Sequence, residues 1–305
     1  MPTRERPVTA SDELFAPVSA DVELCYQTFG DPDDEALLLV MGLGAPMTWW
    51  DVELCEMLAR EGFYVVRFDN RDAGRSSRGR GRVTRTMLVR AFAGLPVRPP
   101  YTLDDIARDA LGLMDHLGLE SAHVAGVSMG GMIVQSMAAV APTRVRSMAS
   151  IMSTTGRRTV GWQHPVLFRT LLATSTGREG YIRSSVATWR LIGSPGYRKT
   201  QEETEQRAAE TYDRGVSLAG LTRQMAAIVT AVDRTPRLRG LRVPTVVVHG
   251  LADKMVHVSG GRATAAAIPG AELLLIDGMG HDLPTQLFPT FVQAIAANAR
   301  RARAS

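Results

Sequence analysis

The stretch His123-Val124-Ala125-Gly126-Val127-Ser128-Met129-Gly130-Gly131-Met132 decides the fold, because an apolar run meets a glycine-rich turn and a second apolar run follows. We predict a strand, a sharp turn and a helix. Gly126 and Gly130 flank Ser128 at the two positions where strand and helix would nearly touch. Such a turn lifts the Ser128 hydroxyl above the sheet edge and aims the Met129 backbone N–H at an oxyanion. A simple glycine turn is the alternative, since Gly-x-Ser-x-Gly also occurs by chance.

Further apolar runs bounded by turn residues lie on both sides of this turn. The segment 36–41 is continuously apolar, which is typical of a strand buried on both faces. Strands that alternate with helices predict an α/β protein with a mostly parallel, doubly wound sheet of about eight strands. The predicted strands are 14–18, 22–29, 36–41, 64–68, 122–127, 145–152, 244–250 and 271–276, and the predicted helices include 49–60, 103–117, 260–268 and 285–300.

The alternation of strands and helices stops between residues 155 and 240, where helical periodicity continues without a good strand pattern. We therefore expect an α/β core made of residues 1–154 and 241–305, with residues 155–240 inserted as a helical cap. Within the insertion, Trp162, Phe168, Trp189 and Met225 are candidate walls of a substrate pocket. Packing within the cap is the alternative role for these four side chains.

Composition excludes several classes of protein. The chain has 305 residues, 45% of them hydrophobic, and shows neither an apolar signal segment nor an apolar run long enough to span a membrane. We expect a cytoplasmic protein that does not bind nucleic acid, and the sequence leaves its oligomeric state open. Cys25 and Cys55 fall in apolar segments and are expected to be buried free thiols. No spacing suggests a metal site or a phosphate-binding loop, so we expect no metal and no cofactor.

Positive charge is concentrated in two segments. Residues 71–100 contain eight Arg and one acid, and residues 155–240 contain fourteen basic and seven acidic residues, so each segment carries +7. We expect them to form a basic rim around the pocket mouth, next to the apolar patch Met87–Ala93. Such a rim would attract an anionic or lipid-like ester or rest on an anionic membrane surface as a peripheral contact. Solvated helix faces in an arginine-rich chain are the alternative.

Residues that directly follow strands are the candidates for chemistry, because ligands bind outside the carboxyl ends of parallel strands. Ser128, Asp253 and His281 occupy such positions. A Ser hydroxyl needs an imidazole to take its proton, and the imidazole needs a carboxylate to fix its tautomer. Other candidates for the base include His249 and His257, and those for the acid are Asp277 and Asp282.

The chain order Ser, Asp, His matches that of α/β-hydrolases. Within that family the chain resembles the bacterial esterases that include aclacinomycin methylesterase, through the motifs 39–42, 69–76, 126–130 and 278–284. The resemblance implies that the Leu43 backbone N–H is a second oxyanion donor beside that of Met129. Many relatives have His-Gly where this chain has Met41-Gly42, but a backbone donor needs no particular side chain.

Relatives that open epoxides or carbon–halogen bonds have Asp at the elbow, so Ser128 favours acyl transfer. We predict a serine-dependent carboxylic ester hydrolase, of class EC 3.1.1, that forms an acyl-enzyme on Ser128 and takes a small-molecule ester. Alternatives within the fold are a lipase or phospholipase, a thioesterase, a methylesterase of an aromatic polyketide, a carbon–carbon bond hydrolase and a cofactor-free perhydrolase. A binding protein without catalytic activity is the alternative from another class.

Overall fold

The computed structural model describes residues 8–167 and 177–303. Eight strands form one sheet: β1 (Leu14–Ser19), β2 (Val22–Phe29), β3 (Glu35–Val40), β4 (Phe63–Phe68), β5 (Ala122–Val127), β6 (Val145–Ile151), β7 (Thr245–Gly250) and β8 (Glu272–Ile276). The helices of the described residues are α1 (Val52–Arg60), α2 (Arg85–Phe92), α3 (Leu103–His116), α4 (Met129–Val140), α5 (Gly177–Ile192), α6 (Gln201–Gly215), α7 (Leu218–Val229), α8 (Thr235–Arg239), α9 (Ser259–Ala267) and α10 (Phe288–Arg303).

The strand order across the sheet is β1-β2-β4-β3-β5-β6-β7-β8. β1 pairs with β2, and β2 with β4, in antiparallel register, whereas the other neighbours are parallel. From β3 the chain continues to β4 on one side, and then to β5 on the other side of β3. The strand order therefore reverses at β3. The predicted mostly parallel, eight-stranded, doubly wound sheet is confirmed, and the ligand crevice of such a sheet lies at this reversal.

The sheet has a separate hydrophobic core on each face. In β3, Leu38 and Val40 pack into the core that contains α3 and α4, while Leu37 and Leu39 pack into the core that contains α1 and α10. Alternate side chains of one strand point to opposite faces, so both faces need apolar residues. This requirement explains the uninterrupted apolar sequence of β3. Complete burial of each such Leu contributes about 1.5–3 kcal/mol.

The apolar patch Met87–Ala93 belongs to α2, in a part of the chain whose sequence shows little regular structure. Thr84 is the N-cap of α2, and its side chain accepts a hydrogen bond from the Met87 N–H at 3.2 Å. Capping of this kind stabilises a short helix by about 1 kcal/mol. Val89 and Phe92 are three residues apart on one face of α2, and both are exposed.

Both cysteines are buried and free. Burial raises the pKa of the Cys25 thiol and of the Cys55 thiol to about 12. Because the thiolate is the reactive form, neither side chain is a nucleophile at neutral pH.

Helices α5 to α8 lie between β6 and β7, and no strand occurs among the described residues of this segment. We propose that residues 155–240 form a cap, as expected from the sequence. The helical periodicity predicted from Val166 onward starts in a 3₁₀ turn at Pro165–Leu167. The candidate pocket residue Phe168 lies outside the described residues.

Two buried ion pairs attach this insertion to the loop after β4. Arg214 of α6 lies 2.8 Å from Asp69, and Arg223 of α7 makes two contacts with Asp72, at 2.6 and 2.9 Å. Each arginine side chain is only 8% exposed and both carboxylates are fully buried. Removing one partner of such a pair leaves an uncompensated buried charge, so these contacts fix the insertion on the core.

Candidate active site

Ser128 lies in a sharp turn between β5 and α4. Its backbone has φ of 57° and ψ of −116°, a conformation that side-chain-bearing residues rarely adopt. A Cβ on Gly126 would lie 2.2 Å from the Gly130 carbonyl oxygen, and a Cβ on Gly130 would lie 2.0 Å from the Val40 carbonyl oxygen. Both distances are far below van der Waals contact, so glycine is required at both positions. The predicted order of strand, turn and helix is present, with the strand at Ala122–Val127 and the helix at Met129–Val140.

Ser128, His281 and Asp253 form one chain of hydrogen bonds. The Ser128 Oγ lies 3.0 Å from the His281 Nε2, and the His281 Nδ1 lies 2.8 Å from the Asp253 Oδ2. The three residues follow β5, β8 and β7, so parallel strands bring their loops together at one edge of the sheet. An imidazole held in this way can accept the serine proton and keep its other nitrogen protonated.

The Asp253 carboxylate is held by several donors. Its Oδ1 accepts hydrogen bonds from the Met255 and Val256 backbone N–H groups, both at 2.9 Å. Burial alone would raise the pKa of Asp253, but the charge of His281 and hydrogen bonds from His249 and His281 keep it well below the usual range. The carboxylate is therefore ionised at neutral pH, as a partner for an imidazolium must be.

The other candidate acids and bases have different contacts. His249 is buried, with its Nε2 2.8 Å from the Val256 carbonyl oxygen and 3.5 Å from the Asp253 Oδ2, so it lies behind the carboxylate. His257 stacks on Trp162 with 4.2 Å between ring centroids. The Asp282 Oδ1 accepts hydrogen bonds from the backbone and side chain of Ser194.

The insertion holds the loop that carries His281. The His281 backbone N–H donates to the Ile192 carbonyl at 2.7 Å, and the Gly280 N–H donates to the Ser194 Oγ at 2.8 Å. A Cβ on Gly280 would lie 2.5 Å from the carbonyl oxygens of Ile192 and Gly193. The sequence motif around His281 predicts this glycine but not its contact with the end of α5.

Leu43 and Met129, the predicted oxyanion donors, both line the cavity beside Ser128. A Cβ on Gly42 would lie 3.2 Å from the Ser128 Cβ, so the loop after β3 passes directly beside the serine. Within the described part of the chain, the Leu43 backbone N–H has no hydrogen-bond acceptor. Met129 begins α4, so its N–H precedes the helical hydrogen bonds.

Gln224 of α7 is a buried residue that sequence reasoning did not single out. Its Oε1 accepts a hydrogen bond from the Gly44 N–H, and its Nε2 donates to the Arg71 carbonyl, both at 2.7 Å. One side chain from the insertion therefore connects the loops after β3 and β4. No sequence motif marks it, because its two partners lie 180 and 153 residues away.

A cavity of about 1280 Å³ opens above Ser128. Trp162, Trp189 and Met225 line it, which places the three described candidates for pocket walls around the cavity. Trp189 also packs against Trp49 with 4.9 Å between ring centroids. These apolar and aromatic side chains form part of the wall, and together with the size of the cavity they suit a large organic substrate.

The expected basic rim is correct only for the insertion. Cationic side chains from residues 155–240 line the cavity, whereas no basic residue of segment 71–100 does so among the described lining residues. The prediction is wrong for that segment because its arginines point elsewhere: Arg71 pairs with the buried Asp109, Arg75 pairs with Glu13 at the surface, and the remaining arginines are exposed away from the lining. The basic residues that line the cavity are Arg157, Arg158, Arg190, Arg198, Lys199, Arg207 and Lys254.

No helix within residues 8–167 and 177–303 combines the length and apolar character needed to cross a bilayer. Over the same residues, no group of three or more His, Cys, Asp and Glu side chains is arranged to hold a metal ion.

A family model described as alpha/beta hydrolase fold matches residues 35–284. The chain belongs to the α/β-hydrolase fold family. This α/β hydrolase is 27% identical over 308 residues to rhodomycin D methylesterase DauP of Streptomyces sp. (strain C5), with 92% of the chain and 96% of the relative covered. It is 26% identical over 242 residues to 3-oxoadipate enol-lactonase 2 of Acinetobacter baylyi, with 79% and 80% covered.

Solved structures show the same fold. A hydrolase from Pseudomonas aeruginosa superimposes with a TM-score of 0.70 at 23% identity, covering 97% of this α/β hydrolase and 100% of that chain. The similarity to a methylesterase and an enol-lactonase supports a hydrolase of the esterase type. The resemblance to the esterases related to aclacinomycin methylesterase is confirmed at this level.

Proposed function

We propose that this protein is a serine-dependent carboxylic ester hydrolase that forms an acyl-enzyme on Ser128. The observation that carries the proposal is the hydrogen-bonded chain from the Ser128 Oγ through His281 to Asp253, which opens into a large cavity. Neither element alone is sufficient, because a serine without a base is a weak nucleophile and a base without a cavity has no substrate.

In the first half-reaction, the Ser128 Oγ attacks the ester carbonyl while the His281 Nε2 accepts its proton. The carbonyl oxygen becomes an oxyanion, and the Leu43 and Met129 backbone N–H groups stabilise it. Asp253 stabilises the imidazolium through the His281 Nδ1 without taking its proton. The tetrahedral intermediate then expels the alkoxide, which receives the proton from His281 and leaves as an alcohol.

Water completes the cycle. His281 takes a proton from the water, the resulting hydroxide attacks the acyl-enzyme, and a second tetrahedral intermediate forms in the same oxyanion hole. Its collapse releases the carboxylic acid and returns the proton to the Ser128 Oγ. The reaction consumes one ester and one water and needs no cofactor.

We further propose that a methyl ester of a large acid suits the site. The relatives named as methylesterases match almost the whole chain, and the cavity offers about 1280 Å³ for the acyl portion. A lipid ester is the second candidate, because the exposed Phe92 lines the cavity and the exposed Val89 lies one helical turn away on the same face of α2. The cytoplasmic location expected from the sequence stays a prediction.

A panel of p-nitrophenyl esters of increasing acyl length, aromatic methyl esters, long-chain triacylglycerols and acyl-CoA thioesters would test the proposal. We expect the wild-type protein to hydrolyse esters. Of the four substrate classes, the aromatic methyl esters should have the highest kcat/KM. Preference for the triacylglycerols would favour a lipase, and preference for thioesters a thioesterase. Hydrolysis at wild-type rates by Ser128→Ala would reject the acyl-enzyme.

A further inference from the structure

Lysine is rare in this chain and has a special location. Lys199 and Lys254 are the only lysines among 35 basic residues, and both line the cavity above Ser128. An ammonium group is a compact, strongly hydrated charge whose burial is costly unless an anion accompanies it. The cost of burial applies mainly to Lys199, because Lys199 is half-buried whereas Lys254 is exposed.

Lys199 has no carboxylate within ion-pair distance among the described residues. The acids around it have other partners: the Asp282 carboxylate accepts from the Ser194 N–H at 2.9 Å, and the Glu203 carboxylate accepts from the Thr200 N–H at 2.6 Å. Asp51 pairs with Arg207 at 3.3 Å. The cationic side chain of Lys199 therefore stands in the cavity wall without a dedicated counter-ion.

A second cation lies beside it. The Arg207 guanidinium also lines the cavity, and it covers the Trp49 ring at 5.6 Å from the ring centroid. Burial and the neighbouring charge of Arg207 lower the pKa of Lys199, although nearby acids partly oppose this. An anion bound in the cavity would offset both the desolvation of Lys199 and its repulsion by Arg207. It would do so by attracting the two cations in a partly desolvated space.

Lys199 is also connected to the reactive end of the cavity through the chain. It follows Ile192 and Ser194, whose carbonyl and hydroxyl groups hold the His281 loop, and it precedes Thr200, which caps α6. The backbone on both sides of Lys199 is therefore fixed by hydrogen bonds. A cation carried by a fixed backbone in the cavity wall can select and orient a substrate.

We propose that Lys199, with Arg207 beside it, binds a carboxylate carried by the ester substrate. This inference rests on the proposed ester hydrolysis and adds a substrate class, esters that retain a free carboxylate. The carboxylate accepts hydrogen bonds from the Lys199 ammonium and takes no part in the covalent steps.

The test compares a monomethyl ester of an aromatic dicarboxylic acid with the analogue in which the free carboxylate is a primary amide. The two have nearly the same shape and differ in charge. In Lys199→Met we expect kcat/KM for the carboxylate ester to fall by about tenfold or more, mainly through KM, because a hydrogen bond to a charged group is lost. The amide analogue should change less than about twofold, and Lys199→Arg should keep much of the preference.

Arg183→Met is a matched control, since it removes one positive charge from an exposed part of α5 that does not line the cavity. Arg183→Met should leave kcat/KM unchanged for both the carboxylate ester and the amide analogue. Equal loss for both esters in Lys199→Met would overturn the proposal, as would a wild-type preference for the amide. Loss of the carboxylate preference in Lys254→Met but not in Lys199→Met would also overturn it.

Calorimetric binding to Ser128→Ala separates this inference from the proposed function. The monomethyl ester should bind Ser128→Ala about tenfold more tightly than it binds Ser128→Ala/Lys199→Met. This measurement needs no turnover, so an absence of hydrolysis would reject the function without affecting the binding result. Equal affinities would reject the role of Lys199 while leaving hydrolysis of the amide analogue intact.

Discussion

Two regions contribute to the candidate site in different ways: the loops that follow β5, β7 and β8, and the helices between β6 and β7. The loops carry Ser128, Asp253 and His281 on short motifs whose geometry follows from nearby glycines. The helices contribute Gln224 and the anchoring Arg214 and Arg223 through contacts with residues far away in the chain. Local sequence therefore predicts the candidate catalytic residues, whereas the contacts of the inserted helices form only in the folded chain.

The largest expected effect concerns the loops. Replacing His281 or Asp253 by Ala should lower kcat for ester hydrolysis by about four orders of magnitude or more, because the serine loses its base or the base loses its tautomer. Rates on a p-nitrophenyl ester, together with circular dichroism to verify folding, would measure this. A folded His281→Ala variant with kcat within tenfold of wild type would contradict the proposed roles.

The anchoring ion pairs should dominate the stability of the insertion. Arg223→Met leaves the buried Asp72 carboxylate without its cation, which should lower the free energy of unfolding by about 3–5 kcal/mol. Arg178→Met is the matched control, because its pair with Asp213 is exposed and screened by solvent, so its loss should change the free energy of unfolding far less. Urea unfolding would compare the two, and equal losses would refute the distinction between buried and exposed pairs.

The elbow should be sensitive to a single methyl group. Gly130→Ala places a Cβ 2.0 Å from the Val40 carbonyl oxygen, so the turn must shift, at a cost of about 1–3 kcal/mol in stability. Gly240→Ala offers a comparison, since its Cβ would meet nothing closer than 3.6 Å. Thermal unfolding and ester hydrolysis would be measured for both, and we expect losses only in Gly130→Ala.

Gln224 allows the two regions to be tested at their junction. In Gln224→Leu the Gly44 N–H loses its acceptor, so the loop with the Leu43 donor should be less well held and kcat should fall about tenfold. KM should change little, because the proposed defect concerns the oxyanion. Gln224→Glu keeps an acceptor for Gly44 and should recover part of kcat. A rise in KM together with the fall in kcat, without recovery in Gln224→Glu, would instead indicate a general loss of structure.

The smallest expected effect concerns charge around the cavity. Because segment 71–100 supplies none of the described basic residues that line the cavity, attraction of an anionic ester should be modest, and kcat/KM should fall about two- to fivefold between low and physiological ionic strength. A neutral ester of the same size is the control and should barely respond. Equal salt dependence of both esters would leave the arginines as solvated or structural groups.

The sequence predicted the core better than the insertion for physical reasons. Gly126 and Gly130 are required because strand and helix approach too closely for a Cβ, and this constraint is visible in a short stretch of sequence. The apolar run of β3 likewise indicates a strand that is buried on both faces. Charge counts failed for segment 71–100 because net charge does not show in which direction an arginine side chain points or which acid it pairs with. Arg223 and Asp72 are 151 residues apart, and only the folded chain brings them together.

Labelling with a serine-directed phosphonate tests the central claim most directly, because it reports on the nucleophile without assuming a substrate. We predict incorporation of one phosphonyl group per chain, located by peptide mass spectrometry on Ser128, with parallel loss of ester hydrolysis and no incorporation into Ser128→Ala. Labelling of another residue, or full activity in a protein labelled on Ser128, would contradict the account.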